Sequence, residues 1–201
     1  MPKIVDHDQR RAAIAAAAAD AIAADGIEAV TMKGIAERAG VTTGAVTHYF
    51  TDKDAVLLEA LLLVDASMQR RLDEALTLGR SPTDALLAAL PHDAESRRDW
   101  CVWRVFSDRA SRSDELRRHY RTSTEGWLRA ASDSLTGRSG SNEELARLDA
   151  EVIVGTVDAI GDAASVDPAG WPVERQRRIL DHLLARFDWC GPVEDRVGGD
   201  A

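Results

Sequence analysis

Residues Thr31 to Asp54 read TMKGIAERAGVTTGAVTHYFTDKD, and the rest of the 201-residue chain is organised around them. Thr31 is a good N-cap, with a side-chain oxygen able to accept from an orphan amide. Ile35, Ala36 and Ala39 follow at helical spacing before Gly40 supplies a left-handed stop. After Val41, Thr42 caps again, and Val46, Tyr49 and Phe50 define a second helix of only about two turns. A helix this short does not hold itself together in water. Packing from its neighbours must do so, which leaves its outer side free for another task.

That outer side carries Thr42, Thr43, Thr47 and His48, small hydroxyls and an imidazole that reach hydrogen-bonding edges, while Gly44 and Ala45 add almost no bulk. Two helices joined by a Gly-bearing turn, with small polar groups outward on the second, make the helix-turn-helix device, whose second helix enters the DNA major groove. An ordinary αα-hairpin inside a helical protein produces the same spacing. The pattern alone leaves both readings standing.

From Ile14 to Leu57 the sequence resembles the DNA-binding domain of the tetracycline-repressor (TetR) family of bacterial regulators, through DGIEAVTMKGIAERAGVTTGAV and HYFTDKDAVL. The resemblance implies phosphate contacts from Thr31, Thr42, Gly44, Tyr49 and Lys53, and base contacts from Thr43, Thr47 and His48. Three positions depart from the family pattern. Gly34 replaces a polar helix former, at roughly 1 kcal/mol of helix propensity; Thr47 stands for a common Tyr and Ile22 for a common Phe. The first two bear on the strength and base preference of DNA reading, the third only on core packing.

The composition is that of a soluble globular protein of one or two domains: 45% hydrophobic, 29% charged and without a run of about 18 apolar residues. No export signal is visible, and Cys101 and Cys190, far apart, suit a reducing cytoplasm. A net charge of −9 opposes binding to a polyanion. Local placement answers it: Arg10 and Arg11 lie at the first helix, Lys33 opens the second and Lys53 the fourth, so Lys33 joins the expected DNA-contacting set. An acidic remainder then suppresses nonspecific binding.

Around this head the periodicity predicts helices over Asp8–Asp25, Asp52–Leu78, Pro82–Leu90, Asp93–Ala110, Asp114–Leu135, Asn142–Ala164 and Pro172–Trp189. With the two motif helices this gives an all-α fold of about nine helices. The expected domains are a helix-turn-helix domain over 1–50 and a ligand-binding and dimerisation domain over 51–201. Trp100, Trp103, Phe106, Tyr120 and Trp127 recur at helical spacing, and read either as core or as the walls of a ligand pocket. Asp158, one turn before Asp162, adds a carboxylate suited to a cationic or aromatic ligand.

The run LPHDAESRRDWCVWRVFSDRA resembles the ligand domain of regulators related to the choline-responsive betaine-pathway repressor. The resemblance implies that the last two helices dock on their copy in a homodimer, with Leu180 and Leu184 expected in that seam. Arg97-Arg98, Arg117-Arg118, Arg175 and Arg177-Arg178 read as solvated helix faces. Catalytic constellations, cofactor-binding loops and metal-ligand spacing are absent, Asp6-His7-Asp8 reading as a solvated terminus.

The expected function is a sequence-specific DNA-binding transcriptional regulator, a repressor released from a pseudo-palindromic double-stranded operator by a small-molecule inducer. A helical small-molecule-binding protein, or an enzyme, with a vestigial DNA-binding motif is the alternative.

Overall fold

The computed structural model describes residues 7–136 and 143–187, and among them all regular structure is helical. In chain order the helices are α1 (His7–Asp25), α2 (Met32–Ala39), α3 (Thr43–Tyr49), α4 (Lys53–Thr77), α5 (Pro82–Ala89), α6 (Ala94–Ala110), α7 (Asp114–Thr136), α8 (Glu143–Val166) and α9 (Val173–Leu184). The expected tail of the last helix, from Asp188 through Trp189, lies outside the described residues, as do Asn142 and the loop before it; Ala185–Phe187 already form a turn.

Local chemistry accounts for most boundaries. Gly79, at φ 67°, closes α4 in the left-handed region that favours glycine. Ser81 caps α5 by accepting from the Asp84 amide at 3.1 Å, with Pro82 in the first turn where its missing N–H is harmless. α6 opens on a reciprocal cap. Asp93 Oδ1 accepts from the Ser96 amide at 2.8 Å, and Ser96 Oγ accepts from the Asp93 amide at 3.0 Å.

The chain divides into two compact units, Met1–Arg70 with Asp93–Tyr120, and Arg71–His92 with Arg121–Ala201. In the first, the Ala-rich face of α1 (Ala15, Ala18, Ala19, Ala21) is buried and packs against α2 and α6, since methyl-sized side chains let helices approach closely. Ile14, Ile22, Ile35, Val46, Phe50, Leu57, Leu61, Phe106 and Leu116 complete this core.

In the second unit α5 packs on α9, and α8 also touches α9. Thr83 Oγ1 donates to Asp181 at 2.7 Å and Arg177 pairs with Asp84 at 2.6 Å. Hydrogen bonding from Ser81, then from Arg177, holds the Asp84 carboxyl below its ordinary range. Buried Gln176 donates from Nε2 to the carbonyls of Pro91 at 3.0 Å and Trp171 at 2.9 Å, tying both loops to α9.

Two expectations are corrected here. Leu180 and Leu184 are 0% and 4% exposed in the single chain, so they are core residues of α9 packed within the unit and not an open seam. The open apolar face belongs to α8, where Leu145, Leu148 and Val152 are 56%, 53% and 49% exposed. The arginine doublets are also not simply solvated faces. Arg98 bridges Asp99 and Asp20, Arg117 donates to the carbonyls of Ala110 and Ser111, and Arg175 lies over the Trp171 ring at 3.9 Å.

Candidate nucleic-acid interface and ligand site

Within the first unit the motif is built as its caps dictate. Thr31, extended at φ −124° and ψ 153°, accepts the Gly34 amide at 3.0 Å on Oγ1. Gly40 adopts φ 65° and ψ 32°, and the amides of Gly40 and Val41 return to the carbonyls of Glu37 and Ala36. Thr42 then caps α3, accepting the Ala45 amide at 3.1 Å. Val46 and Phe50, 0% and 2% exposed, anchor this two-turn helix to the core. Gly34 fits the same geometry: a Cβ there would sit 3.3 Å from Thr31 Oγ1, so the glycine relieves crowding at the cap.

Anchoring one side of α3 turns the other to solvent. Thr31, Lys33, Thr42, Thr43, Gly44, Thr47 and His48 are all exposed, and Tyr49 and Lys53 half-buried. Thr47 shares its hydroxyl proton between the carbonyls of Thr43 and Gly44, both at 3.2 Å, leaving oxygen lone pairs and a methyl group outward. Lys53 Nζ donates to the carbonyls of Ile27 at 3.1 Å and Glu28 at 3.3 Å. Its three donors and its charge are therefore not neutralised by a carboxylate at those contacts. Lys33 lies 3.7 Å from Glu37, both strongly exposed, a contact worth little in water.

Long-range ion pairs hold the neighbouring helices. Arg11 on α1 meets Glu59 on α4 at 2.6 Å, and this hydrogen bond raises its pKa despite desolvation. Two arginines of α6 reach the head: Arg98 to Asp20 of α1 at 3.2 Å, and Arg109 to Asp54 of α4 at 2.5 Å and Glu28 at 3.5 Å. Sequence spacing did not reveal these pairs, because their partners are separated by 48 to 81 residues.

The expected ligand-contacting residues fall into both units. In the first, Trp103 stacks on Phe106 (centroids 6.2 Å apart) and on Tyr120 (5.6 Å); Trp100 and Phe106 are buried, Tyr120 partly open. In the second, Trp127 is half-buried on α7, and the Asp158 carboxyl on α8 is pushed up to about 6, by desolvation first and by Asp162 second. Two α7 residues absent from the expected set join them. The buried hydroxyls of Ser123 and Thr124, one turn before Trp127, have no hydrogen-bond partner among the described residues. Each such orphan costs about 1–3 kcal/mol unless something binds it. Hydroxyl side chains inside a predicted helix were the available signal.

Among the described residues no His, Cys, Asp and Glu cluster is fit to hold a metal, and no helix is long and apolar enough to cross a membrane. Asp6 lies outside those residues.

Comparison with known proteins agrees with this geometry. Residues 14–60 match the bacterial regulatory proteins of the tetR family, and residues 82–188 match the C-terminal domain of BetI-type transcriptional repressors. The HTH-type transcriptional regulator PksA of Bacillus subtilis is 27% identical over 189 residues, 90% of each chain. The regulator BetI of Agrobacterium fabrum is 34% identical over 122 residues, with 59% of each chain covered.

Among solved structures, a transcriptional regulator from Rhodococcus sp. RHA1 superposes with a TM-score of 0.78 at 30% identity, covering 88% of this chain and 95% of that one. A putative regulator from Saccharomonospora viridis, solved in complex with choline, shares the fold at TM-score 0.74 and 21% identity, over 89% of this chain and 96% of that one. These relatives are regulators and not enzymes, which removes the enzymatic alternative. The chain is a transcriptional regulator and belongs to the tetR family, with a C-terminal domain of the BetI type.

Proposed function

We propose that the protein is a homodimeric repressor that grips a pseudo-palindromic operator with two copies of α3 and releases it when a small molecule binds the C-terminal domain. In this reading residues 1–50 are the DNA-binding domain and 51–201 the ligand-binding and dimerisation domain. Thr43, Thr47 and His48 read base edges, while Thr31, Lys33, Thr42, Gly44, Tyr49 and Lys53 hold the phosphate backbone. The observation that carries it is α3 itself, anchored on its inner face by Val46 and Phe50 and exposing Thr43, Gly44, Thr47 and His48 outward.

A two-fold dimer must set its reading helices about 34–36 Å apart to enter successive major grooves. The exposed Leu145, Leu148 and Val152 of α8 supply an apolar face for the second copy, and Gly155, further along the same helix, faces open space where a side chain would stand. The inducer is proposed to be cationic, meeting Trp127 and Asp158 of the second unit. The unpartnered Ser123 and Thr124 hydroxyls offer it hydrogen bonds. Quaternary ammonium compounds such as the choline held by the Saccharomonospora viridis regulator are the first to try.

Release of the operator is proposed to follow when α6 shifts, since Arg98 and Arg109 tie that helix to α1, α4 and the turn before α2 within the first unit. Selecting fragments of the source genome on the purified protein, then titrating quaternary amines against the recovered DNA, tests the whole reading. Recovery of a two-fold-symmetric site, and its release by a ligand, is the expected result. Sequence-independent binding alone would overturn it.

A further inference from the structure

The first turn of α1 grips the end of the reading helix. His7 Nδ1 lies 2.9 Å from Tyr49 Oη with ring centroids 6.1 Å apart, and His48 meets the same phenol edge-on at 5.3 Å. Arg11, one turn further along the same face of α1, lies over the Phe50 ring at 5.1 Å and pairs with Glu59 at 2.6 Å. Tyr49 and its neighbour Phe50, the C-cap of α3, are thus both held from α1.

We propose that His7 is a positioning residue for DNA binding: its Nδ1–H donates to Tyr49 Oη, so that the phenol proton is directed outward to a DNA phosphate. This rests on the reading of Tyr49 as a phosphate contact. A phenol oxygen accepts as well as donates, and the neutral imidazole exists as two tautomers. In one tautomer the phenol donates to the imidazole and its proton points away from the DNA. In the other the imidazole fills an oxygen lone pair and the phenol donates onward. An anionic oxygen beyond Tyr49 selects the second arrangement, because a donor chain ending on an anion is polarised along its length. Holding the ring also removes the rotamer entropy that a half-exposed tyrosine on a two-turn helix otherwise loses on binding.

The test uses the full chain and a DNA fragment recovered by selection, with affinity measured by fluorescence anisotropy over a series of salt concentrations. The variants are His7→Ala, His7→Asn, Tyr49→Phe and the His7→Ala, Tyr49→Phe double substitution. Asn places an amide nitrogen about where Nδ1 sits. His7→Ala is expected to weaken binding about 3- to 10-fold, the scale of one hydrogen bond, with an unchanged salt slope because His7 itself touches no phosphate. Asn should recover most of that loss, and the double variant should bind no worse than Tyr49→Phe. If the two losses multiply independently, or the slope falls in His7→Ala, the positioning role is overturned. Tyr49→Phe weakening binding while His7→Ala does not would overturn it with the Tyr49 reading intact. A silent Tyr49→Phe would overturn both.

Discussion

Substituting Leu148 on α8 separates the face proposed for a second copy from a core that serves the chain itself. Leu148 is 53% exposed in the single chain, so about half of its side chain has apolar area still to bury. Full burial of a leucine is worth about 1.5–3 kcal/mol, which makes the available half about 0.8–1.5 kcal/mol. Two-fold symmetry counts every substitution twice, so Leu148→Ala should weaken dimerisation by about 1.5–3 kcal/mol, or about 10- to 150-fold in Kd.

Leu148→Glu goes further, because a carboxylate pressed into an apolar face without a partner costs several kcal/mol more, and it should sediment as a monomer at about micromolar concentration. The control is Leu180→Ala on α9, where the side chain is 0% exposed in the monomer. It should cost about 2–5 kcal/mol of folding stability by leaving a cavity, without a specific effect on association. Sedimentation velocity over a range of concentrations reads the first effect, and thermal melting followed by circular dichroism reads the second. A folded Leu148→Glu protein with an unchanged dimer constant would refute the assignment of this face.

Three other outcomes follow from the geometry. Lys53→Ala should weaken binding to all sequences and flatten the salt dependence, whereas Thr47→Ala or His48→Ala should relax preference at particular base pairs by about 1–3 kcal/mol; competition with single-base operator variants distinguishes them. The Asp158 carboxyl titrates at about 6, above its ordinary value, so the folded state holds a proton that the unfolded state has lost between about pH 4 and 6. Stability should therefore fall as pH rises through that window, and binding of a cationic ligand should strengthen above about 6; Asp158→Asn should abolish both trends in pH-dependent melts and titrations. Arg109→Gln releases α6 from Asp54 and Glu28, and because the Arg109 side chain is 33% exposed the stability loss should be only about 0–1 kcal/mol, while hydrogen exchange across Met32–Tyr49 quickens.

The sequence made the head legible because its signals are local. Thr31, Gly40 and Thr42 each act on amides or carbonyls within a few residues, and all three do so in the structure. The same holds for the start of α5 at Pro82, whereas the reciprocal cap of Asp93 with Ser96, equally local, was not read from the sequence. Helical periodicity, in contrast, says that a face is apolar and not what covers it. The stripes of α8 and α9 read alike, yet Leu184 meets its own chain and Leu148 remains open. The distinction depends on α5, which packs on α9 from nearly a hundred residues away.

Charged residues were misread for the same reason. Arg98 sits on a helix face like any solvated arginine, but Asp20 and fully buried Asp99 are its partners. The aromatic series was ambiguous on the same ground: Trp103 with Phe106 and Tyr120 forms a stack inside the first unit, while Trp127 and the orphan hydroxyls belong to the second.

These pairings also bear on how an acidic chain meets DNA. Of the cations around the reading helix, Arg11 is matched by Glu59, Arg98 by Asp20 and Asp99, and Arg109 by Asp54 and Glu28, so their charge braces helices and contributes little field outward. Lys53 differs, since at the Ile27 and Glu28 carbonyls it faces backbone dipoles and no carboxylate, and Lys33, in its proposed phosphate contact, would give up only an exposed pairing with Glu37. Among the described residues few cations near the reading helix are left uncompensated, so the counterion term is expected to be small, and a chain of net charge −9 repels nonspecific duplex beyond that face. In the proposed reading, affinity then comes from hydroxyls, backbone amides and the phosphate contact of Tyr49, groups that count only when held in place. The capped turns and the braces from α1 and α6 are what hold them, so displacing those braces costs more of the total affinity here than in a head rich in free lysine and arginine.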